Sequence, residues 1–521
     1  MSASPIVRAG LRVPMADGVR LATDVYRPGR PDRGRPVPAV LLRTYLGREK
    51  NLEEGLAWAR QGLAFVAQDV RGRYGSEGTW MPCEAEREDG AAAVAWVAEQ
   101  PWCDGRVVLS GGSLAAFHAW AAALSGHPAA AAVISTAPAM TRTNFEPGGA
   151  LKLFNHAYWW TTHGDTRTER SGLFMAMLRE RPDLLRHLPV SGLPDLFWAD
   201  LPSWLPEVLA GPGAPRPWAI SDAELASCPL PALHVGGWHD PHVRLTLHQF
   251  RTAGSTASPR PARNLLVGPW THELRTGEPT RYGVRDYGPA SRFPHGRFMA
   301  EWIRRVLGME PDGEEGAPVR IFVGGADRWI EGSEWPPRPV RARTFFTARG
   351  GRLAEESPAD AGEDGFSYDP RDPFPGRSGP IDQSDLASRP DAVRYATGPL
   401  AEPLTILGSP VVTLRAESEA PSTDWVARLH EALPDGRTLY LGHSLVVADG
   451  PGPLRLELPP LAIRIPAGHG LCLEITSSTF PEHARNLNTG ACRYTTAETR
   501  IARQTVRHGS ELSLPVVEEE A

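Results

Sequence analysis

The chain has 521 residues, of which 41% are hydrophobic and 22% charged, and its formal net charge is −6. This composition predicts a folded protein of roughly two to four packed units. The weak negative charge and the lack of Lys- and Arg-rich runs exclude a nucleic-acid-binding surface, and no run approaches the about 20 apolar residues that cross a bilayer, so a membrane is not an expected partner either.

The cysteines point away from a disulfide framework or a zinc site. All five are widely spaced and none forms a CxxC pair, a pattern typical of reduced thiols. The first residues carry no apolar stretch like that of a secretory signal. We therefore expect cytoplasmic residence.

The first part of the chain reads as an α/β unit. Asp17-Gly18 joins two strand-like runs, residues 11–15 and 19–25, which predicts a β-hairpin. Apolar runs then alternate with helical patterns such as residues 84–99, and this alternation indicates a parallel sheet covered by helices on both faces. The apolar runs occupy residues 37–42, 63–67, 107–109 and 131–134.

Changes of pattern divide the chain into three regions. Residues 141–225 are rich in Trp, His, Leu and Arg with loose helical periodicity, after which strand-like runs resume. Beyond about residue 315, short alternating runs separated by Gly, Pro and Asp predict an all-β sandwich. We therefore predict an α/β core at residues 1–140 and 226–315, a helical cap at residues 141–225 and a β domain at residues 316–521.

A serine stands at a predicted strand-to-helix turn. Residues 107–109 form an apolar strand, glycines follow, and Ser113 precedes a helix of small residues. On such a turn the hydroxyl is lifted clear of the backbone, while the N–H of Leu114 faces a developing oxyanion. Ala115 stands where the Gly-x-Ser-x-Gly motif has its second glycine, so the motif alone is also compatible with a glycine-rich turn and a serine helix cap.

An acid and a base follow in the order that an α/β-hydrolase requires. Asp240 comes just after the apolar run at residues 232–235, and His272 just after the run at residues 265–267. A serine hydroxyl needs a neutral imidazole to take its proton, and a buried carboxylate must orient that imidazole. Ser113, His272 and Asp240 are therefore the predicted nucleophile, base and acid.

The same segment has a second interpretation as a metal cluster. His234, His239 and His242 surround Asp240, but their spacing matches no zinc pattern. His234 fits a core position better, and the other two histidines fit a pocket wall or the solvent. We expect neither a metal ion nor a cofactor.

Motifs in both halves of the chain match one family. The matching stretches are Val13-Pro14-Met15-Ala16-Asp17-Gly18-Val19, Asp69-Val70-Arg71-Gly72, Gln100-Pro101-Trp102-Cys103-Asp104-Gly105, Gly236-Gly237-Trp238-His239-Asp240, Gly268-Pro269-Trp270-Thr271-His272, Trp335-Pro336-Pro337, Pro434-Asp435-Gly436-Arg437 and Arg485-Asn486-Leu487-Asn488-Thr489-Gly490. Together they resemble the cocaine-esterase-like (CocE/NonD) hydrolases, relatives of the X-Pro dipeptidyl-peptidases and the α-amino-acid ester hydrolases. The resemblance implies an α/β-hydrolase core, an inserted helical cap, a C-terminal jelly-roll-like β domain, a pocket where the three meet, and possible homodimerisation.

Two departures from the family pattern concern the oxyanion hole. The family commonly has Gly-x-Ser-Tyr-x-Gly at the elbow, whereas this chain has Leu114 and Ala116 at the last two defined positions, a change that keeps the backbone N–H. The family also carries Arg-Thr-Pro-Tyr, whose tyrosine donates the second hydrogen bond, but here Leu46 holds that position and Tyr45 precedes it. Tyr45 either supplies the hydroxyl from a shifted loop or packs beneath the cap. Loss of one such donor costs about 3 kcal/mol.

The predicted function is hydrolysis of an ester or amide of a small acyl substrate through an acyl-enzyme. An acyltransferase or thioesterase-like tailoring enzyme with the same triad is an alternative, and so is a binding or scaffold protein that kept the fold and lost the chemistry. Aromatic and polar residues beside the motifs are candidates for the pocket wall. These are Trp238, His239, Trp159 and Trp160.

Overall fold

The computed structural model describes residues 4–29, 35–141, 145–146, 148–214, 216–273, 280–309, 316–359, 361–450 and 452–517. Parts of the predicted domain ranges, including residues 1–3, 310–315 and 518–521, lie outside these residues. Among the described helices, none is both long enough and apolar enough to cross a bilayer.

Ten strands form the central sheet. They are β1 (Ile6–Pro14), β2 (Arg20–Arg27), β3 (Val37–Thr44), β4 (Ala64–Asp69), β5 (Cys103–Gly112), β6 (Ala130–Thr136), β7 (Ala232–His239), β8 (Arg263–Thr271), β11 (Val319–Val323) and β12 (Arg328–Gly332), whereas β9 (Arg281–Tyr282) and β10 (Arg285–Asp286) form a separate ribbon. Their order is β1-β2-β4-β3-β5-β6-β7-β8-β11-β12. The central strands from β4 to β11 pair in parallel and both edges are antiparallel.

Helices cover both faces of this sheet. The helices are α1 (Leu52–Arg60), α2 (Glu86–Ala98), α3 (Leu114–Ala123), α4 (Leu153–His163), α5 (Leu173–Glu180), α6 (Trp204–Ala210), α7 (Asp222–Ser227), α8 (Val243–Thr252) and α9 (His295–Val306). On one face Val94 and Trp120 of α2 and α3 are buried, and on the other Trp58 and Trp302 of α1 and α9. All six residues of β4 are buried, as expected for a parallel strand covered on two sides. The predicted α/β-hydrolase core is confirmed.

The cap lies between β6 and β7 and includes α4 to α6, with three short 3₁₀ helices in the connection between α5 and α6. Trp160, Phe174 and Trp204 form its apolar interior. The same cluster includes Phe480 and Tyr494 from the C-terminal half of the chain. The cap therefore has no closed hydrophobic core of its own and shares one with the β domain.

Thirteen strands joined in one hydrogen-bonded network form the C-terminal domain. Their interior is apolar and includes the fully buried side chains of Tyr368, Tyr395 and Trp425. The predicted all-β class of this half is confirmed. The strands are β13 (Val340–Ala348), β14 (Arg352–Ala354), β15 (Glu363–Tyr368), β16 (Ala392–Ala396), β17 (Leu404–Gly408), β18 (Val411–Ser418), β19 (Thr423–Ala432), β20 (Thr438–Ala448), β21 (Gly452–Glu457), β22 (Leu461–Ile465), β23 (Gly470–Thr476), β24 (Ala502–Arg507) and β25 (Glu511–Val517).

The first strands after residue 316 do not join the β domain, to which the sequence assigned them. β11 pairs in parallel with β8 and antiparallel with β12, so both strands extend the core sheet. The change from one sheet to the other lies between Gly332 and Val340. The assignment was wrong because hydrophobic alternation reports that a strand is half-buried but does not identify its partner.

Candidate active site

The predicted nucleophile, acid and base follow neighbouring parallel strands. Ser113 comes directly after β5, Asp240 after β7 and His272 after β8, and the order across this part of the sheet is β5-β6-β7-β8. The carboxyl ends of parallel strands meet at one edge of a sheet, where ligands of such folds bind. The three side chains therefore converge although 159 positions separate the first from the last.

Ser113 sits at a sharp turn between β5 and α3. Its φ is 56° and its ψ is −129°, a conformation that L-residues rarely adopt. Its backbone N–H donates to Thr136 O at 3.0 Å, which fixes the turn to β6. A Cβ on Gly111 would come within 2.0 Å of Ala115 O, whereas one on Gly112 would have room. This turn therefore requires glycine two residues before the serine and accepts alanine two residues after it.

Two hydrogen bonds connect the three side chains. His272 Nε2 is 3.0 Å from Ser113 Oγ, and His272 Nδ1 is 2.9 Å from Asp240 Oδ1. The Asp240 side chain is fully buried, whereas 38% of the His272 side chain is exposed. When His272 carries its proton on Nδ1 and donates a hydrogen bond from there to Asp240, Nε2 is free to accept the proton of the serine hydroxyl.

Asp240 and His272 shift each other's pKa in opposite directions. Burial opposes the charged form of His272, but the hydrogen bond and the charge of Asp240 outweigh it and raise the pKa of His272. Burial likewise opposes ionisation of Asp240, but the contact with His272 outweighs it and lowers the pKa of Asp240. Asp240 is thus ionised at neutral pH and His272 is a stronger base than a free histidine.

Tyr45 lies close to Ser113, the predicted nucleophile. Its hydroxyl lies close to the side chains of Ser113 and Trp159. An indole N–H only donates, so the contact with Trp159 leaves the hydroxyl proton of Tyr45 available for donation. Burial raises the pKa of Tyr45, which keeps the hydroxyl protonated. Leu46, at the position of the family's tyrosine, has an apolar side chain and cannot replace it.

Sequence reasoning missed Arg73, which holds Tyr45 in place. The Arg73 side chain is completely buried, donates through Nε to Tyr45 O at 2.9 Å and through one terminal nitrogen to His163 O at 3.1 Å. It therefore ties the loop that carries Tyr45 to the end of α4 in the cap. Its only signal in the sequence is its position directly after the Asp69-Val70-Arg71-Gly72 motif.

His242 was also given no catalytic role from the sequence. Its backbone N–H donates to Asp240 Oδ1 at 3.0 Å, and its ring centroid is 5.1 Å from that of His272. Burial lowers the pKa of His242 to about 4, so the ring is neutral at neutral pH. The sequence signal for this contact was the Asp-x-His spacing, because an aspartate side chain often accepts a hydrogen bond from the backbone N–H two residues later.

The four-residue metal cluster does not assemble. His234 is fully buried and stacks on Trp120, with ring centroids 6.0 Å apart. His239 Nε2 is 2.6 Å from the hydroxyl of Tyr287. Ligand atoms of Asp240, His242 and His272 do lie within 4.8 Å of one another. Within that set, however, Asp240 Oδ1 and His272 Nδ1 already bond to each other.

A cavity of about 370 Å³ adjoins Asp240 at the meeting point of core, cap and β domain. Trp238 and His239, both predicted for the pocket wall, line this cavity. Trp159 is partly exposed beside Tyr45, with ring centroids 6.1 Å apart. Trp160 is only 1% exposed and lies in the cap interior, so its prediction as a pocket residue was wrong. Neighbouring residues on a helix point in different directions, and here only Trp159 faces the site.

A second, larger cavity of about 590 Å³ opens between the core and the cap. Its lining includes residues 83–88 before and at the start of α2, Phe117 of α3 and Trp218 of the cap. None of the triad residues is part of this lining. Asp240 is the one member of the predicted triad in the lining of the smaller cavity, so that cavity adjoins the predicted site.

Both halves of the chain are similar to known proteins. Residues 17–273 match the model of the X-Pro dipeptidyl-peptidase (S15) family, and residues 314–513 match that of the X-Pro dipeptidyl-peptidase C-terminal non-catalytic domain. The cocaine esterase of Rhodococcus sp. (strain MB1 Bresler) is 30% identical, with 98% of each chain covered.

Solved structures share the whole fold. An α-amino acid ester hydrolase superposes with a TM-score of 0.83 at 21% identity, and an aminopeptidase from a marine sediment Thaumarchaeota archaeon with a TM-score of 0.80 at 22% identity. Each comparison covers 99% of this chain and 97% of the other. The chain belongs to the cocaine-esterase-like (CocE/NonD) hydrolases, relatives of the X-Pro dipeptidyl-peptidases, and it is a serine hydrolase.

Proposed function

We propose that the protein hydrolyses carboxylic esters of small acyl groups, with Ser113 as nucleophile, His272 as general base and Asp240 as the orienting acid. The observation that carries this proposal is the unbroken pair of hydrogen bonds, 3.0 Å and 2.9 Å long, from a partly exposed serine through a histidine to a buried carboxylate. The name of the cocaine esterase, which is similar over nearly its full length, supports an ester rather than an amide.

Acylation begins with attack of Ser113 Oγ on the carbonyl carbon of the ester. His272 Nε2 takes the hydroxyl proton, and Asp240 stabilises the imidazolium that forms. The tetrahedral intermediate collapses when His272 returns the proton to the leaving alcohol. The products of this half-reaction are the free alcohol and an acyl-Ser113 ester.

Deacylation repeats these steps with water. His272 removes a proton from the water as it attacks the acyl carbon, and the second tetrahedral intermediate releases Ser113 Oγ, which takes the proton back. A carboxylic acid leaves and the resting enzyme is restored. No other side chain has to change its protonation state.

The oxyanion of both intermediates needs two donors. One is the N–H of Leu114, which belongs to the first turn of α3 and has no partner within the helix. The other is the hydroxyl of Tyr45, beside Ser113. A donor that meets the oxyanion only in the transition state lowers the barrier without tightening substrate binding.

The candidate cavity favours a small, partly apolar substrate. A volume of about 370 Å³ lies in the range of small-molecule sites. Phe154 and Trp238 give it aromatic walls, and His239, whose pKa burial lowers to about 3, adds no charge at neutral pH. Lys152 and Arg244 carry charges elsewhere in the lining, so we expect the uncharged part of a substrate to lie against the two aromatic side chains.

Labelling with a fluorophosphonate probe tests the proposal directly. We expect a single labelled site at Ser113, and hydrolysis of p-nitrophenyl acetate and butyrate by the same preparation. Ser113→Ala should abolish labelling and lower kcat by about 10⁶-fold. Labelling that persists in Ser113→Ala would overturn the assignment, and a wild-type protein that neither labels nor hydrolyses would favour a binding role.

The same assay separates hydrolysis from acyl transfer. Hydroxylamine added during turnover competes with water for the acyl-enzyme. If hydrolysis is the function, the carboxylic acid remains the main product until the nucleophile is in large excess. A dominant transfer product at low nucleophile concentration would instead indicate an acyltransferase.

A further inference from the structure

The wall of the cavity beside Asp240 also carries a cluster that the catalytic mechanism does not use. Glu146 from the segment before α4, His443 of β20 and His483 after β23 meet there. One ligand atom from each lies within 4.8 Å of the others. Two imidazoles and one carboxylate form a ligand set that binds zinc and related divalent metals.

Both rings are held in the orientation that a metal site needs. The hydroxyl of Tyr440 is 2.6 Å from His443 Nδ1, and Thr479 Oγ1 is 2.6 Å from His483 Nδ1. Metal-binding histidines are typically fixed by a hydrogen bond at the other ring nitrogen. In both residues this leaves Nε2 for the cluster.

The inner nitrogens differ in what they contact. His443 Nε2 is buried and has no hydrogen-bond partner within the described part of the chain, although a buried polar atom normally has one. His483 Nε2 is 3.1 Å from Glu146 Oε1. An unsatisfied nitrogen that faces a histidine and a carboxylate is the independent sign that a ligand belongs between them.

The backbone keeps the carboxylate close to the histidines. Glu146 N donates to Ala150 O at 2.9 Å and closes a turn, and Val447 N of β20 is bonded to Gly148 O at 3.4 Å. A Cβ on Gly148 would come within 2.2 Å of Leu445 O, so this turn lies directly on β20. The segment that carries Glu146 is thus docked on the strand that carries His443.

We propose that Glu146, His443 and His483 bind one divalent metal ion of the zinc class. Three protein ligands leave a coordination position open toward the cavity, where water or an oxygen of a bound molecule can occupy it. The ion would link the segment leading into the cap to the β domain. In the metal-free form Lys152 forms an ion pair with Glu146, with 3.2 Å between Nζ and Oε1. This ion pair has to separate when the metal ion binds.

Cobalt titration of chelator-treated protein tests the site without using activity. We expect one equivalent of Co²⁺ to bind, with the ligand-field absorption of a low-coordinate site, and Zn²⁺ to displace it. Loss of a residue that is hydrogen-bonded to a metal ligand weakens metal binding by ~10–100-fold. His443→Ala and His483→Ala remove a ligand itself, so each should weaken binding by more than this. Tyr440→Phe, which removes such a partner, should weaken it by about 10–100-fold.

Lys152→Gln provides a test in the opposite direction. It removes the ammonium that competes for Glu146, so Co²⁺ should bind more tightly than to the wild-type protein. A purely structural network of ion pairs would give no gain in metal affinity here. Unchanged or weaker binding in Lys152→Gln would therefore count against the proposal.

Two histidine variants serve as controls. His248→Ala removes an exposed histidine that contacts Asp222 on the surface and should leave binding unchanged. His242→Ala alters the other group of potential ligands, beside Asp240, and should also leave the absorption intact. Loss of binding in His242→Ala but not in His443→Ala, or no binding to the wild-type protein, would overturn the proposal.

Labelling of Ser113 checks that each variant is folded. A His443→Ala or His483→Ala protein that no longer binds Co²⁺ but still reacts with the fluorophosphonate has lost the metal site alone. The proposal does not depend on the ester-hydrolase function, since metal binding and serine labelling are separate readouts.

Discussion

At the scale of single residues, the bond between His272 and Asp240 fixes how the rate should depend on pH. Attack requires a neutral imidazole, and Asp240 raises the pKa of His272 above that of a free histidine, about 6.5. We therefore expect kcat/KM for p-nitrophenyl acetate to fall on acidification, with a midpoint above that value.

The Asp240→Asn variant tests the cause of this shift. It should lower kcat by about 10⁴-fold and move the acidic midpoint to lower pH, because the group that raises the pKa of His272 is gone. A midpoint that stays in place would mean that Asp240 does not control the base.

Tyr45 yields a second prediction at the residue scale. Tyr45→Phe keeps the ring between Trp80 and Trp159 but removes the hydroxyl beside Ser113. We expect kcat to fall by about 100-fold or more with little change in KM, because the donor acts on the transition state. Tyr158→Phe, on an exposed part of α4, is the matched control and should have wild-type kinetics. Equal rates for the two variants would contradict the role of Tyr45.

The sequence predicted the triad residues for a physical reason. Ser113, Asp240 and His272 each follow an apolar strand, and parallel strands bring such ends together. The Tyr45 hydroxyl could not be located in the same way, because a shift of one residue in a loop changes where a side chain points. His242 and Arg73 act through backbone hydrogen bonds that leave little mark on a residue pattern.

At the scale of elements, the turn between β5 and α3 depends on one of its two glycines. A methyl group on Gly111 would collide with Ala115 O, while Gly112 is exposed and has space. Gly111→Ala should destabilise the protein by about 1–3 kcal/mol or more and abolish Ser113 labelling. Gly112→Ala should remain folded and reactive. Thermal unfolding and probe labelling of the pair check this, and similar behaviour of both would argue against the described turn.

Element types were easier to predict from the sequence than element partners. The alternation of apolar runs and helices gave the core sheet, and the short alternating strands gave the β domain. β11 carries the same alternation yet joins the core sheet. Its pairing depends on the position at which the chain leaves the preceding helix, α9, and the alternation does not encode that position. In α4, adjacent Trp159 and Trp160 look alike in sequence and differ only in the face of the helix that carries them.

At the scale of the whole molecule, the cap and the β domain are joined by backbone hydrogen bonds as well as by apolar packing. Phe154 N donates to Pro481 O at 3.1 Å and Ser191 N to Tyr494 O at 2.8 Å. The side chains of Phe480 and Tyr494 complete the apolar interior of the cap. The cap should therefore unfold together with the β domain instead of opening as an independent lid.

The Phe480→Ala variant tests this coupling. Truncation of a buried phenylalanine costs about 3–5 kcal/mol, and here the loss falls on the shared interior. We expect a lower melting temperature and faster native-state proteolysis within the cap. Phe366→Ala, equally buried but inside the β domain, should lower the melting temperature without exposing the cap. Faster cap cleavage in both variants, or in neither, would contradict the shared core.

The cavity beside Asp240 takes its walls from four stretches of the chain, near residues 146–155, 238–244, 378–379 and 440–483. Recombination between relatives at the boundary near residue 332 would exchange part of the cavity wall together with the residues of the β domain that complete the cap's interior. A functional chimera must therefore inherit the cap and the C-terminal half from one parent, and substrate range can drift through mutations in the β domain while the nucleophile and its turn stay unchanged.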